Sequence, residues 1–502
     1  MCLRAGIQCS MGDVSKLHDP MEGVSMSRHD SEPASTPAVD RRSLLACVPA
    51  IAGAAALGGC GATSDDGQGS DPAQQGGGAR TARRPKLSAS TEDLSASVTP
   101  STTAFTSTPA DVLADEGDKA KYFDFSVRLF RQVAAGAWAS DAQANVFISP
   151  LSIARCLAMA QNGADGQTLS QMEQAIGLGV DAANEYLHAY GERVAGRLHG
   201  TATAREAVKA ALPLDLAESI WIKGDAGLEV KESFLQDSVD AFDAEIYRAP
   251  FDDATVKDVN AWVDAKTDGM IDHLLDGIPS DALLYLISAL AFDDAWEDPY
   301  DADLTEDATF TCEDGSRLDA RLMASRETSY LENDACRGFI RPYGGYDFAF
   351  VGLLPREGVS VTQLVESLTS EGLERLLVPR GGYEVEAKLP KYALSFETQL
   401  VDALRALGMR DAFDAAAADF SRMGKASQNL YVGEAIHKTF IEVNEEGTRA
   451  AAVTEMGVEA TSALEPTEPV VEEVILDRPF AYLIIDYQVG LPVFMGAMAR
   501  LP

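Results

Sequence analysis

Serine and histidine side chains are the groups in this 502-residue chain best suited to nucleophilic chemistry. Ser149 and Ser152 lie close together, and His437 is one of six histidines. A hydrolase could be built from such a pair, but the sequence holds no G-x-S-x-G turn of the kind that presents a catalytic serine. It also holds no C-x-x-C motif or His/Cys cluster suited to a metal. The absence of these motifs argues against an enzyme, and we expect no metal and no cofactor.

A segment near the end of the chain, 445–469, carries a second pattern. Taken in steps of two from Thr448, its residues are uncharged as far as Ala460: Thr448, Ala450, Ala452, Thr454, Met456, Val458 and Ala460. All charges of this stretch fall in the intervening set, at Arg449, Glu455 and Glu459. Alternation with period two is typical of a strand with one buried face. The alternative, an alanine-rich helix or linker, follows from alanine's helix propensity but does not require this placement of charges.

Charge and composition limit the classes of partner. The chain has 41 basic and 78 acidic residues, a formal net charge of −37, which disfavours nucleic acid and anionic lipid. Such acidity fits a soluble extracytoplasmic protein, or simply an acidic proteome. With 46% hydrophobic residues the chain is globular, and its length alone would predict about three domains.

Residues 1–60 are predicted to be an upstream segment and a signal peptide. Arg41 and Arg42, which loosely resemble a twin-arginine signal, precede an apolar run over 44–57 that is too short for a stable transmembrane helix. The L-G-G-C sequence that ends at Cys60 resembles a bacterial lipobox, in which the cysteine is lipidated and becomes the mature N-terminus. A plain cleaved signal peptide is the alternative. The prediction is a bacterial lipoprotein, anchored by lipid on the extracytoplasmic cell surface.

The region after the signal divides into two parts. Residues 61–115 are rich in Gly, Ser, Thr, Ala, Asp and Pro, which predicts a disordered tether. Residues 116–502 are predicted to fold. Three cysteines remain there, so at most one disulfide can form. Cys312 with Cys336 is the favoured pair, and Cys156 is expected to be a buried free thiol.

Hydrophobic periodicity predicts helices first and long strands later. Amphipathic helices are indicated over 119–133, 152–161 and 260–275, the second beginning after Ser149-Pro150 and ending at Gly163. The apolar run 283–292 is typical of a central strand covered on both faces. Residues 382–394 and 438–447 alternate, and 480–501 read as a final hairpin. This layout is α+β with a large, mostly antiparallel sheet.

Several of these stretches together resemble the serpin family. They appear in serpin order over roughly 119–502: NVFISPLSI (145–153), GADGQT (163–168), NAWVDAKTDGMI (260–271), ALAFDDAWEDPYD (289–301), LPKYALSFETQLVDALRALGMRDAF (389–413), HKTFIEVNEEGTRAAA (437–452), DRPFAYLI (477–484) and VFMGAM (493–498). The resemblance implies one serpin domain over 116–502, with about nine helices and three β-sheets. It also implies that 445–469 is an exposed reactive-centre loop, which inserts into the main sheet after a protease cleaves it.

The resemblance assigns roles to particular residues. Gly447 and Thr448, followed by Ala450, Ala451 and Ala452, match the hinge where insertion begins, and Glu445 matches the acidic residue just before it. Trp296 matches the aromatic residue where the loop enters, although ordinary core packing is an alternative role. A polar cluster beneath the centre of the sheet is matched by Ser149, Ser152 and His437. At the position where the family usually has asparagine this chain has Ser288, which is too short for the same pair of amide hydrogen bonds.

The position of the bond that a protease would cleave is less well defined by the resemblance than the hinge is. Counting forward from the hinge as in serpins gives Thr461–Ser462, whereas counting backward from 477–480 gives a position near Glu468. Small uncharged residues before the bond fit shallow, elastase-like pockets. No Lys or Arg lies between Arg449 and Arg478, which disfavours trypsin-like targets. Leu464 would allow a chymotrypsin- or cathepsin-like target, and the glutamates a Glu-specific one.

The predicted function is therefore a suicide-type inhibitor of serine or cysteine proteases, most simply an elastase-like serine protease. The inhibitor would be a monomer that forms a covalent complex with its target and touches the membrane only through its lipid. A non-inhibitory serpin that acts as a binding or structural module is the alternative. The hinge favours inhibition, because non-inhibitory members tend to carry bulky or charged residues at the inward positions.

Overall fold

The computed structural model describes residues 85–196, 213–224, 229–279, 282–425, 429–448 and 469–502. All of these residues belong to one unit, Gly61–Pro502. None of the helices in the described ranges is both long and apolar enough to cross a lipid bilayer.

Ten α-helices occur in these ranges, and most begin at a polar side chain that caps the first turn. Ser149, for example, accepts a hydrogen bond from the Ser152 amide, and Pro150 occupies the first position of the helix. The helices are α1 (Pro109–Leu113), α2 (Glu116–Ser140), α3 (Pro150–Gly163), α4 (Gly166–Ile176), α5 (Val180–Val194), α6 (Glu232–Phe242), α7 (Asp253–Lys266), α8 (Val361–Ser367), α9 (Ser370–Leu376) and α10 (Val401–Ala406).

The main sheet has the strand order β1-β5-β3-β6-β16-β17-β7, and β14 also pairs with β16. Its strands are β1 (Glu92–Asp93), β3 (Leu214–Lys223), β5 (Glu245–Ala249), β6 (Leu284–Phe292), β7 (Asp294–Ala295), β14 (Tyr392–Gln399), β16 (Glu434–Val443) and β17 (Gly447–Thr448).

Three further sheets complete the described fold. A six-stranded sheet has the order β10-β11-β12-β19-β20-β2, a four-stranded sheet the order β18-β13-β9-β8, and a two-stranded sheet pairs β15 with β4. Their strands are β2 (Val146–Ile148), β4 (Glu229–Val230), β8 (Glu306–Thr311), β9 (Arg317–Glu327), β10 (Tyr330–Glu332), β11 (Cys336–Pro342), β12 (Phe348–Pro355), β13 (Tyr383–Pro390), β15 (Gly424–Lys425), β18 (Val470–Ile475), β19 (Phe480–Asp486) and β20 (Leu491–Met498).

The apolar run that predicts a central strand forms β6, which lies between β3 and β16. Helix α3 packs against one face of β6 and α7 against the other. Both faces are therefore covered, as expected from a run without alternation. The alternating segments form β13, β14 and β16, and residues 480–501 contain the predicted hairpin of β19 and β20. The α+β layout predicted from the sequence is confirmed.

Helix α7 differs from its predicted extent. It begins at Asp253, where Asp252 and Thr255 form a capping box, and it ends at Lys266. Asp268 and Gly269 have positive φ angles, which end the helix, and the chain then turns back to α7. Asn260 stabilises this return by accepting hydrogen bonds from the amides of Leu274 and Leu275, both 2.8 Å. The prediction that the helix continues to 275 is therefore wrong.

The segment 85–115, called here the N-terminal arm, differs from the predicted disordered tether. In the arm, β1 pairs with β5 at the edge of the main sheet, and Phe105 stacks on His188 of α5 with ring centroids 4.1 Å apart. Leu113 of α1 is buried. A few apolar residues spaced along a polar segment thus hold it against the fold, which overall composition does not reveal. The rest of the predicted tether, 61–84, and residues 1–60 lie outside the described residues.

The predicted pairing of Cys312 with Cys336 is wrong: Cys156, Cys312 and Cys336 are all free and buried. Cys312 follows β8 in the four-stranded sheet, whereas Cys336 begins β11 in the six-stranded sheet. Burial raises the pKa of the Cys336 thiol to about 12, so the thiol stays protonated at neutral pH. The expectation for Cys156 as a buried free thiol is confirmed.

Candidate functional site

The site begins where two central strands of the main sheet separate. β6 and β16 run parallel and pair through Glu434 with Tyr285 and Ala435 with Leu286. Towards the end of β16, β17 lies between β16 and β7, because Thr448 pairs with both Val443 and Asp294. The start of the predicted loop therefore already occupies a strand position in the sheet.

Residues 445–448, called here the hinge, follow a tight turn at Asn444. The Asn444 side-chain oxygen accepts hydrogen bonds from the Glu446 and Gly447 amides, at 2.9 and 3.2 Å. Gly447 and Thr448 are both buried, and the Thr448 hydroxyl lies 2.5 Å from the phenol oxygen of Tyr343. The turn thus reverses the chain after β16 and directs the hinge back into the sheet.

Trp296 holds the hinge from the side of β7. Its amide donates to the Glu446 carbonyl and its indole N–H to the Asn444 carbonyl, both at 2.9 Å. The indole also stacks on Tyr343 with ring centroids 4.5 Å apart. Trp296 is 2% exposed, so it combines core packing with direct contact to the hinge.

Glu445 fixes the chain just before the buried hinge residues. Its carboxylate accepts a hydrogen bond from the Thr305 hydroxyl at 3.0 Å and pairs with the Lys391 ammonium at 2.5 Å. Burial acts to raise the pKa of this carboxyl, but the bonds from Lys391 and Thr305 outweigh it and hold the pKa below its usual value. Glu445 is therefore ionised at neutral pH.

Beneath the sheet lies a polar cluster, called here the shutter cluster, formed by Ser149, Ser152, Ser288 and His437. The Ser149 amide donates to His437 Nε2 at 3.0 Å, and the Ser149 hydroxyl donates to the Val493 carbonyl at 2.9 Å. The Ser152 and Ser288 hydroxyls are 2.6 Å apart. The structure thus brings the four residues predicted for this cluster together.

The geometry of His437 does not suit catalysis by a serine hydroxyl. Its Nε2 accepts a backbone N–H, so this nitrogen is not paired with a serine hydroxyl that it could activate. Burial lowers the pKa of His437 to about 3, and the ring is therefore neutral at physiological pH, with its proton on Nδ1. Ser149 and His437 are arranged as structural groups rather than as a nucleophile and a base.

The shutter cluster borders a small cavity. Ser288 and His437 line a cavity of about 20 Å³ together with apolar side chains such as Ile153 and Leu404. That volume is enough for one water molecule. Thr439 lies two residues beyond His437 on β16, and its hydroxyl donates to the Phe147 carbonyl at 2.6 Å.

Several predicted site residues lie outside the described residues: Ala450, Ala451, Ala452, Thr461, Ser462 and Cys60. Conversely, the structure adds residues that sequence reasoning missed. Tyr343 comes from a distant segment that no local pattern marks, and Lys391 lies in the serpin-like stretch 389–413, where nothing singles it out. Asp294 lies two residues before Trp296 in the serpin-like stretch 289–301. Its proximity to the residue predicted to lie where the loop enters could have identified it as a site residue.

The fold and this site define a class of protein with a large sheet in which the start of a long loop already lies between two strands, here β16 and β7. Residues 120–501 match the model of a family described as Serpin (serine protease inhibitor). The chain belongs to the serpin family.

Three comparisons illustrate the relationship. Serpin-ZXA of Oryza sativa subsp. japonica is 32% identical over 387 residues, 74% of this chain and 94% of that protein. Serpin B9 of Homo sapiens is 31% identical over 365 residues, 70% of this chain and 92% of that protein. The native-state crystal structure of tengpin, a thermophilic serpin, aligns with a TM-score of 0.71 and 35% identity, and covers 82% of this chain and 100% of that one. Serpins are in general protease inhibitors rather than enzymes.

Proposed function

We propose that this chain is a suicide-type inhibitor of serine proteases. A protease would attack the loop after the hinge and form an acyl-enzyme with it. The loop would then enter the main sheet between β6 and β16 before the acyl bond is hydrolysed, and the protease would remain covalently attached. The position of Thr448, paired with Val443 on one side and Asp294 on the other, is the observation that supports this proposal most directly.

Insertion by this route is supported by the match between strand geometry and loop sequence. Thr448 is 2% exposed and faces the interior beside Tyr343. Residues at steps of two from Thr448 would take the same face of an added strand. These residues are uncharged as far as Ala460, so each can be buried without an unpaired charge.

The target is proposed to be elastase-like, with cleavage between Thr461 and Ser462. This rests on the small, uncharged residues before the bond and on the lack of Lys or Arg between Arg449 and Arg478. The proline-marked acidic stretch from Glu465 to Pro469 is a poor substrate for most proteases, which favours the forward count over a bond near Glu468.

The experiment is to mix the purified chain with an elastase, and separately with trypsin, and to look for an adduct on a denaturing gel. We expect a covalent adduct with elastase and none with trypsin. Mass spectrometry of the released fragment should give Ser462 as its first residue. Cleavage in the loop with no adduct for any protease of a wider panel would refute the inhibitor and leave the non-inhibitory alternative. A fragment beginning at Glu468 or later would show that the backward count is right.

We also propose that the protein is a bacterial lipoprotein, held on the extracytoplasmic cell surface through Cys60. Two acyl chains on one diacylglyceryl group are enough for stable anchoring, whereas one chain is marginal. Cys60→Ala should leave an unprocessed precursor or release the protein to the medium, as shown by cell fractionation. Native protein found soluble and without lipid would rule out the anchor.

A further inference from the structure

A carboxylic acid lies directly opposite the buried hinge residue. In the antiparallel pair of β7 with β17, Asp294 is the partner of Thr448. Directly opposed residues of two antiparallel strands project to the same face, with their Cβ atoms roughly 5 Å apart. The Asp294 side chain therefore shares the inward face with the Thr448 side chain, which meets Tyr343 there.

The Asp294 carboxyl is poorly solvated in this position. Its Oδ2 atom is buried and forms no hydrogen bond with any residue in the described part of the chain. Its Oδ1 atom lies near Gly344, 3.8 Å from the point where that residue would carry a Cβ. A carboxylate with one oxygen buried and unpaired is costly, whereas the protonated acid is far less so.

The charges around this carboxyl are mainly negative. Asp293 and Glu297 lie on its own segment, and Asp347 lies on the chain between Tyr343 and β12. Asp347 forms an ion pair with Arg193 of α5 at 3.3 Å, and Arg193 also pairs with Asp486.

Burial first, and then the three carboxylates, raise the pKa of Asp294 to about 8, although the Ala295 amide acts in the opposite direction. At neutral pH the acid therefore holds its proton while the hinge is in the sheet.

We propose that Asp294 is a positioning residue for the hinge: the protonated acid allows Thr448 to sit between β7 and β16, and ionisation of the acid releases it. The docking equilibrium itself does not depend on protease inhibition. Its effect on inhibition rests on the proposed function, since a hinge that has left the sheet must re-enter it before the loop can insert.

The direction of the pH effect follows from proton counting. An Asp294 exposed by departure of the hinge would have an ordinary pKa near ~3.9. Between that value and about 8 the docked form binds more protons than the released form. The ratio of docked to released hinge therefore falls as pH rises, by up to about tenfold per pH unit, and levels off above the upper value.

Trp296 offers a direct measurement, because its amide donates to the Glu446 carbonyl of the hinge and its indole N–H to the carbonyl of Asn444, just before the hinge. We expect the tryptophan emission of the intact chain to change as pH is raised from 6 to 9. In Asp294→Asn, which cannot ionise, the emission should stay constant over this range. Asp293→Asn is the matched control, because it removes a neighbouring charge but keeps Asp294, and the change should persist. If the asparagine variant is not folded at pH 6 by circular dichroism, Asp294→Ala removes the same ionisable group.

Two results would overturn the proposal: no change of emission in the intact chain, or the same change in the neutral variants. The emission measurements are made without a protease. Failure of the proposal for Asp294 can therefore be distinguished from failure of the proposed inhibitor function. An adduct with elastase but no pH-dependent emission would leave the inhibitor intact and remove the role of Asp294. The converse result would retain the role of Asp294 and remove the inhibitor.

Discussion

Thr448 is the residue on which the insertion route depends most. It is small, 2% exposed and bonded to Tyr343, and so it fits between two strands at little cost. Thr448→Arg would place a guanidinium in that interior, at a cost on the order of several kcal/mol. Each ~1.4 kcal/mol added to the insertion barrier slows insertion about tenfold relative to hydrolysis of the acyl bond. We expect the variant to be cleaved as a substrate with little adduct, measured as the adduct-to-cleaved ratio.

Arg449→Glu is the matched control, because residue 449 falls in the charged set that is predicted to face solvent. It should trap elastase about as well as the unaltered chain. Equal trapping by Thr448→Arg would mean that the assigned register or the insertion mechanism is wrong.

His437 should make stability depend on pH in the acid range. Burial lowers its pKa to about 3, whereas an unfolded histidine titrates near ~6.5. Between these values the unfolded state binds more protons, so the free energy of unfolding rises with pH and falls as pH drops below ~6.5. The contribution of one group is at most ~1.4 kcal/mol per pH unit.

Denaturant unfolding at several pH values, compared between the intact chain and His437→Gln, isolates this contribution. The difference between the two chains should shrink as pH falls from 6.5 to 3. A difference that does not vary with pH would show that His437 is protonated in the folded state.

At the scale of elements, the N-terminal arm is tied to helix α7 through one carboxylate. Asp258 accepts hydrogen bonds from the Ser88 hydroxyl at 2.6 Å, the Ser88 amide at 2.9 Å and the Thr91 hydroxyl at 2.6 Å. Asp258→Asn should weaken this group of bonds and cost roughly 1–3 kcal/mol. The arm should then become more sensitive to limited proteolysis, and the unfolding midpoint in denaturant should fall.

Asp264→Asn tests the same helix at an exposed position and should change neither property. Unaltered protease resistance in Asp258→Asn would show that the pairing of β1 with β5 holds the arm without α7.

Elements whose own residues carry a regular hydrophobic pattern or a capping signal were predictable from the sequence. Elements that are ordered by contacts with distant residues were not. The start of α3 follows from Ser149-Pro150, and β16 follows from the alternation that leaves Ile441 and Val443 inward. The N-terminal arm was missed because its order comes from contacts with α5, α7 and β5 rather than from its own composition. The Tyr343–Thr448 contact joins residues 105 positions apart, and no local periodicity predicts it.

At the scale of the whole molecule, the intact chain should be less stable to heat than the same chain cut once in the loop. Cleavage would free the loop to add a strand beside β6 and β16. A strand of roughly ten residues adds on the order of ten hydrogen bonds at ~1 kcal/mol each. We therefore expect the melting temperature to rise by at least ~10 °C, measured by calorimetry before and after a single cut. Identical melting temperatures would point to a non-inhibitory serpin.

The strands that follow the loop are hydrogen-bonded to strands that precede it in the chain. β18 pairs with β13, while β19 lies between β12 and β20, and β20 lies between β19 and β2. A cut in the loop would therefore sever the chain without separating its two pieces. The nicked protein should keep its mass and hydrodynamic size under native conditions, and only a denaturant should release the smaller piece. Gel filtration would therefore not distinguish the cut protein from the intact one, because its two polypeptides would remain together as one particle.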